Sequence, residues 1–198
     1  MDDSRPQHRS PDSDLPRLLR DAASGDPRAW HDLVQLYSKR VYALAKSRCR
    51  SHDVAEEITQ SVFATLAERL GRQEYQELGK FEAWIFRITI NRVRDHIRRL
   101  KRRPASEPIH DDTVQSEDPG LAEGTPALDR LREALHELPD ADQEVVHLRH
   151  FAQLSFAQMA DLLEEPVGTL LARHHRALKK LRTILERADQ GARQELTP

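Results

Sequence analysis

Seven cationic side chains, Arg92, Arg94, Arg98, Arg99, Lys101, Arg102 and Arg103, follow Asn91 in the segment 81–103, against a single acid, Asp95. Cations at this density repel one another unless the phosphates of a nucleic acid offset them. Just upstream, Trp84 and Phe86 supply ring faces on which a base can stack, and Asn91 supplies an amide that can pair with a base edge. The chemistry open to this set is the holding of a nucleic acid by its phosphate chain. A solvated surface helix is the competing reading of the charge run, and core packing the competing reading of Trp84 and above all of Phe86, which lies on the apolar stripe.

One helical period organises the segment. At alternating steps of four and three, Phe86, Ile90, Val93, Ile97 and Leu100 form an apolar stripe, and Arg87, Asn91, Arg94, Arg98 and Lys101 form a wet stripe beside it. The helices that must position it come before. A short helix from about Leu15 to Ala23 stops at Ser24-Gly25-Asp26-Pro27, and a second carries Trp30, Leu33, Val34, Tyr37, Val41, Leu44 and Ala45 inward. A third starts at a Ser51 or Asp53 N-cap, turns Val54, Ile58, Val62, Thr65 and Leu66 inward, and stops before Gly71.

The net charge of −2 over 198 residues hides a segregation. Basic residues crowd 87–103 and 173–187, whereas 104–125 holds no Lys or Arg and six acids. That spacer, punctuated by Pro104, Pro108, Pro119, Gly120, Gly124 and Pro126, reads as a linker, with Ile109, Val114 and Leu121 as isolated apolar handles. Beyond it, Leu128, Leu131, Leu135 and Leu138 share a helical face up to Pro139, and a helix from Asp142 carries Val145, Val146, Leu148 and Phe151. Ser155-Phe156-Ala157-Gln158 is a capping-box pattern opening a short helix. Glu164-Glu165-Pro166 breaks it before a long final helix rich in Arg and His. Two helices around a tight break form a helix-turn-helix pattern.

With 32% charged and 5% aromatic residues and no alternating strand pattern, the expected fold is all-α, two small helical domains joined by a flexible acidic linker. The expected division is a disordered tail at 1–13, a first domain at 14–103, the linker at 104–126, a second domain at 127–188 and a C-terminal tail at 189–198. Cys49 stands alone, so no internal disulfide forms, and no Cys/His spacing suggests structural zinc. The polar N-terminus has no apolar signal segment and no run spans a membrane, which points to a soluble, cytoplasmic protein without membrane insertion.

Three blocks in order resemble the sigma-70-type RNA polymerase sigma factors of the extracytoplasmic-function group. Val54-Ala55-Glu56-Glu57-Ile58-Thr59-Gln60-Ser61-Val62-Phe63 is similar to the segment that binds core polymerase. Phe81-Glu82-Ala83-Trp84-Ile85-Phe86-Arg87-Ile88 with Asn91 is similar to the promoter-melting segment. The stretch from Leu138-Pro139 through Ser155 to Pro166-Val167-Gly168-Thr169, Arg173, His175 and Arg176 resembles the helix-turn-helix that reads the minus-35 element. The resemblance implies sigma domains 2 and 4, with core RNA polymerase, promoter DNA and an anti-sigma factor as partners and with neither cofactor nor metal. It assigns Glu56, Glu57, Gln60 and Phe63 to polymerase docking. Trp84, Arg87, Asn91, Arg94, Arg98, Lys101 and Arg102 go to the minus-10 strand, and Ser155, Val167, Gly168, Thr169, Leu171, Ala172, Arg173, His175 and Arg176 to the minus-35 duplex. Four positions depart from the family pattern. Leu171 and Leu178 stand where cations are frequent, Val54 where Asp is common and Glu82 where Arg is common. With Leu171 and Leu178 the recognition helix loses two cationic contacts and its expected affinity for the minus-35 element is low; alternatively Leu171 meets a thymine methyl, and core packing of Leu171 is the competing reading.

Two rivals explain less. An ordinary helix-turn-helix regulator accounts for 127–187 but leaves the seven cations at the end of the first domain unexplained. An enzyme would need the Asp95-His96 dipeptide, which lacks acidic ligands around it, or the histidines His147, His150, His174 and His175, which lack a carboxylate pair at metal-ligand spacing and read as surface or DNA-contacting imidazoles.

Overall fold

The computed structural model describes residues 15–49, 51–72, 74–75, 79–102 and 126–195. The expected tail at 1–13 and the linker handles Ile109, Val114 and Leu121 lie outside these residues, as does Arg103. The described residues form eight α-helices: α1 Leu15–Ala23, α2 Pro27–Cys49, α3 His52–Gly71, α4 Phe81–Arg102, α5 Pro126–His136, α6 Asp140–His150, α7 Phe156–Leu163 and α8 Val167–Glu195.

Local chemistry sets the boundaries. Gly25 adopts φ +88° after α1, and the Asp26 carboxylate then accepts from the Arg28 amide at 2.9 Å while Pro27 opens α2 with its preset φ. At α3 the N-cap is Ser51, whose hydroxyl accepts from the Val54 amide. The α6 helix starts at Asp140, two residues earlier than its apolar pattern suggests, because the Pro139 carbonyl already accepts from the amides of Asp142 and Gln143, both at 2.9 Å. Both halves of the α7 capping box form: Ser155 Oγ accepts from the Gln158 amide at 3.2 Å and Gln158 Oε1 from the Ser155 amide at 2.7 Å. The final helix runs to Glu195, beyond residue 188.

The core is built where the apolar stripes of α2, α3 and α4 meet. Leu33, Tyr37, Val41 and Leu44 face Ile58, Val62 and Leu66, and Ile85, Phe86, Ile90 and Val93 close the third side. Each such burial stabilises by roughly 1.5–3 kcal/mol. The same buried cluster continues through Val145, Leu148, Leu154, Met159, Leu162 and Leu170 of the second half, so the two helical groups share an apolar contact. A smaller cluster of Leu135, Leu138, Val146 and Ala177 ties α5, α6 and α8 together. The expected stripe on α4 is buried only as far as Val93: Ile97 is half-buried and Leu100 is 47% exposed, because the helix outlasts the cluster it packs on.

Candidate nucleic-acid and polymerase interfaces

The α4 helix separates its two faces. Phe86 is fully buried, with the Arg40 guanidinium 5.0 Å from its ring centroid, so it is a packing residue. Asn91, Arg98 and Arg102 are exposed on the other face. The Lys101 side chain lies outside the described residues. Trp84 is half-buried, stacked on Tyr75 at 4.3 Å between centroids and 20° between planes, and tilted against Phe81. Tyr75 is a residue the sequence reading passed over. An aromatic in an otherwise polar stretch before an aromatic-rich helix start was the available signal.

Three of the expected cations are already paired, two of them with the second half of the chain. Arg87 Nη2 donates to the main-chain oxygens of Asp161 and Leu162 at 3.0 and 3.1 Å and pairs with Glu164 at 3.2 Å, while Arg94 pairs with Glu144 at 2.7 Å. Arg98 pairs within its own helix with Asp95 at 3.6 Å. Glu82, at a position where the family favours Arg, receives Arg40 at 2.5 Å and the Gln158 amide, and Arg40 Nε donates to the Ala152 carbonyl at 2.8 Å. The departure at Glu82 is thus answered by a basic partner on α2.

On α3, Glu56, Glu57 and Gln60 are exposed, and Phe63 is half-buried against the core. Glu56, Gln60 and Phe63 fall at i, i+4 and i+7 and share a side of the helix. Glu56 meets His52 at 3.3 Å, one turn back.

In the helix-turn-helix, Glu164 takes the left-handed conformation, φ 59°, at the break between α7 and α8. Val167, Gly168, Thr169, Ala172, His175 and Arg176 are exposed near the start of α8, as is Ser155 at the start of α7. Leu171 is 46% exposed and Leu178 is also exposed, while Leu170 beside it is buried. Core packing of Leu171 is therefore excluded, and its side chain lies among the exposed residues at the start of α8. Arg173 is less free than its exposed neighbours: its guanidinium forks onto Glu165 at 2.9 and 2.6 Å.

The histidines divide. His147 is not on the surface, as expected from sequence, but 1% exposed on α6, and neither ring nitrogen finds a hydrogen-bond partner among the described residues. Burial, followed by the nearby Arg48 guanidinium and His136, pushes its pKa down to about 3, so it is neutral at pH 7. Its ring packs edge-on against Phe151. His150 and His174 meet Nε2 to Nε2 at 3.0 Å with rings stacked, so one nitrogen donates and the other accepts. Burial and then the Arg149 charge lower His150; for His174 burial acts first, then His150, Arg149 and His175. Among the described residues no three His, Cys, Asp or Glu side chains gather into a metal-holding set, and no helix is long and apolar enough to cross a membrane.

The two halves match two family models, Sigma-70 region 2 over residues 33–103 and Sigma-70, region 4 over residues 128–181. The chain is 34% identical over 170 residues to the ECF RNA polymerase sigma factor SigE of Mycolicibacterium smegmatis, covering 82% of this chain and 65% of that protein. It is 30% identical over 188 residues to the ECF RNA polymerase sigma factor BldN of Streptomyces coelicolor, covering 90% of this chain and 70% of that one. This chain belongs to the extracytoplasmic-function group of the sigma-70 family. The fold agrees: the sigma factor RpoE of Bartonella quintana, solved in complex with the anti-sigma factor NepR, superposes with a TM-score of 0.58 at 24% identity over 79% of this chain and 96% of that chain. As a sigma factor the protein directs promoter recognition by RNA polymerase. Its region 2 match contains the whole of α3 and α4, and its region 4 match contains α6, α7 and the exposed start of α8.

Proposed function

We propose that this sigma factor docks on core RNA polymerase through the Glu56, Glu57, Gln60 and Phe63 side of α3. It then holds the opened minus-10 strand on α4 and reads the minus-35 duplex with the start of α8. The observation that carries the reading is the two-faced α4: its buried seam fixes the helix while Asn91, Arg98 and Arg102 stay in solvent. An amide that neither packs nor neutralises charge is suited to a base edge, and the guanidinium groups around it are suited to phosphates. On α8, Val167, Gly168, Thr169, Ala172, His175 and Arg176 face solvent, and Leu171 presents an apolar contact suited to a thymine methyl. The functional units are residues 14–103 and 127–188, joined through 104–126. The protein catalyses nothing itself and acts in the cytoplasm, where polymerase and promoter are. An anti-sigma factor is a further partner in this reading, supported by the complex in which the relative from Bartonella quintana was solved.

Polymerase docking is tested by size-exclusion co-elution. Replacing Glu56 and Gln60 together by Ala removes exposed groups and leaves the core intact, so the fold stays helical by circular dichroism while co-elution with core polymerase weakens by about tenfold in affinity, the scale of a hot-spot pair. Unchanged co-elution of a folded double variant would sink the assignment.

A further inference from the structure

Two cations of α4, Arg87 and Arg94, are not waiting in water. Lys80, just before the helix, pairs with the Asp161 carboxylate at 2.8 Å. Arg87 donates to the last-turn carbonyls of Asp161 and Leu162 and pairs with Glu164, and Arg94 pairs with Glu144. Every one of these acceptors belongs to the second domain; Arg87 and Arg94 belong to the proposed DNA face of the first, and Lys80 sits one residue before its helix.

The geometry of α7 explains why its end takes the part of an anion. The last carbonyls of a helix lack intrahelical partners and carry the negative end of the helix dipole. α7 has no basic residue in its last turn to meet them, and its C-cap is an acid, Glu164. The guanidinium of Arg87 supplies the missing cap from 74 residues away. An array of two main-chain oxygens and three carboxylates thus faces three cations, in the manner of a phosphate chain.

We propose that the C-terminal edge of α7, together with Glu144 of α6, is an internal stand-in for the DNA backbone. In the free chain it occupies the cations of the strand-holding face, and single-stranded DNA binds only by displacing it. This rests on the reading of α4 as the DNA face.

The strength of the contact fits a latch that DNA can open. The ion pairs lie at the surface, with Lys80 and Asp161 62% and 41% exposed, and such pairs contribute little singly. Beneath them an apolar patch joins Phe86 and Ile90 of α4 to Leu154, Met159 and Leu162 around α7, which holds the two domains in register. A DNA strand offers more phosphates than the edge offers carboxylates. It therefore wins once enough of them are engaged.

The test uses the full chain and a 20-nucleotide fluorescein-labelled oligo-dT. In one variant Asp161→Lys and Glu164→Lys place cations against Lys80 and Arg87; a charge-matched control carries Glu133→Lys and Glu137→Lys, both on an exposed part of the second domain. The latch variant is expected to show a larger radius of gyration by small-angle X-ray scattering and to bind oligo-dT about tenfold tighter than the control, as follows if the closed form outweighs the open one about ten to one. Oligo-dT added to the unaltered chain is expected to expand it, by reciprocity. Equal affinities for variant and control would overturn the latch. Arg98→Ala placed in the latch variant separates the two levels. If it weakens oligo-dT binding while variant and control remain equal, the DNA face stands and the latch falls. If it changes nothing, the DNA reading of α4 fails and the latch fails with it.

Discussion

The α4 and α8 helices carry comparable runs of cations, yet the structure leaves them in different states. On α4, Arg87 and Arg94 are paired to the other domain, and the helix lies on a shared apolar cluster. At the start of α8, Arg173 is tied down by Glu165 of its own domain, while His175 and Arg176 beside it are exposed. Charge content read from sequence measures what a helix could bind. Pairing decides what it binds in a given conformation. On the proposed roles, a duplex reader on α8 needs no rearrangement to meet DNA, whereas a strand holder on α4 must wait until a strand exists.

The largest effect that sharpens the contrast falls on the buried edge of α4. Phe86→Ala should destabilise the fold by about 3–5 kcal/mol in urea denaturation, as for other fully buried aromatics. A loss below about 1 kcal/mol would mean that the seam does not fix the helix and that the two-faced description is wrong.

Next comes the acid response of His147, which lies beside Leu44, Arg48, Ile90 and Arg94 where α6 meets α2 and α4. Its folded pKa is depressed to about 3 from an ordinary 6.5. The unfolded chain therefore binds the proton first as pH falls. Stability is fully present above about pH 6.5 and is lost on the way down to about 3, by up to about 1.4 kcal/mol per pH unit from this one group. His147→Leu should flatten that part of the pH profile and raise the melting temperature at pH 5, since it also removes two buried nitrogens without partners. A profile with the same slope in the variant would assign the acid response elsewhere.

Leu171→Arg probes the open helix. Because Leu171 is half in solvent, the exchange should leave stability within about 0.5 kcal/mol. It should also steepen the slope of log affinity against log salt by about 0.9 for duplex promoter DNA, one added phosphate contact. A lowered melting temperature with no gain in affinity would contradict the placement of Leu171 on the reading face.

Much of this was legible from residue types. The helices, the Ser155 capping box, the break at Glu164–Pro166 and the two stripes of α4 are local patterns with periods of a few residues, and the structure follows them, the apolar stripe of α4 as far as Val93. The exposure of Asn91, Glu56 and Gln60 followed from their place on those periods. What could not be read is non-local. Arg87 meets acceptors more than 70 residues away and Arg94 one 50 residues away, so no window around either residue records the pairing. His147 looked like a surface imidazole because its neighbours one turn away on α6, Gln143, Glu144 and His150, are polar, and the docking of α6 onto α2 and α4 buries it. Leu100 continued the stripe on paper, but a stripe does not say where its partner helices end.

The most direct test of the strand-holding role concerns Asn91, an exposed amide on a helix whose other side is fixed by burial. In holoenzyme assembled with Asn91→Ala, on a promoter fragment selected by the unaltered holoenzyme, permanganate reactivity of the unpaired minus-10 thymines should fall by about tenfold while closed-complex binding changes by less than about twofold, because one amide reads a base but neutralises no phosphate. Unchanged thymine reactivity, or an equal loss in both steps, would contradict a base-reading role for this face of α4.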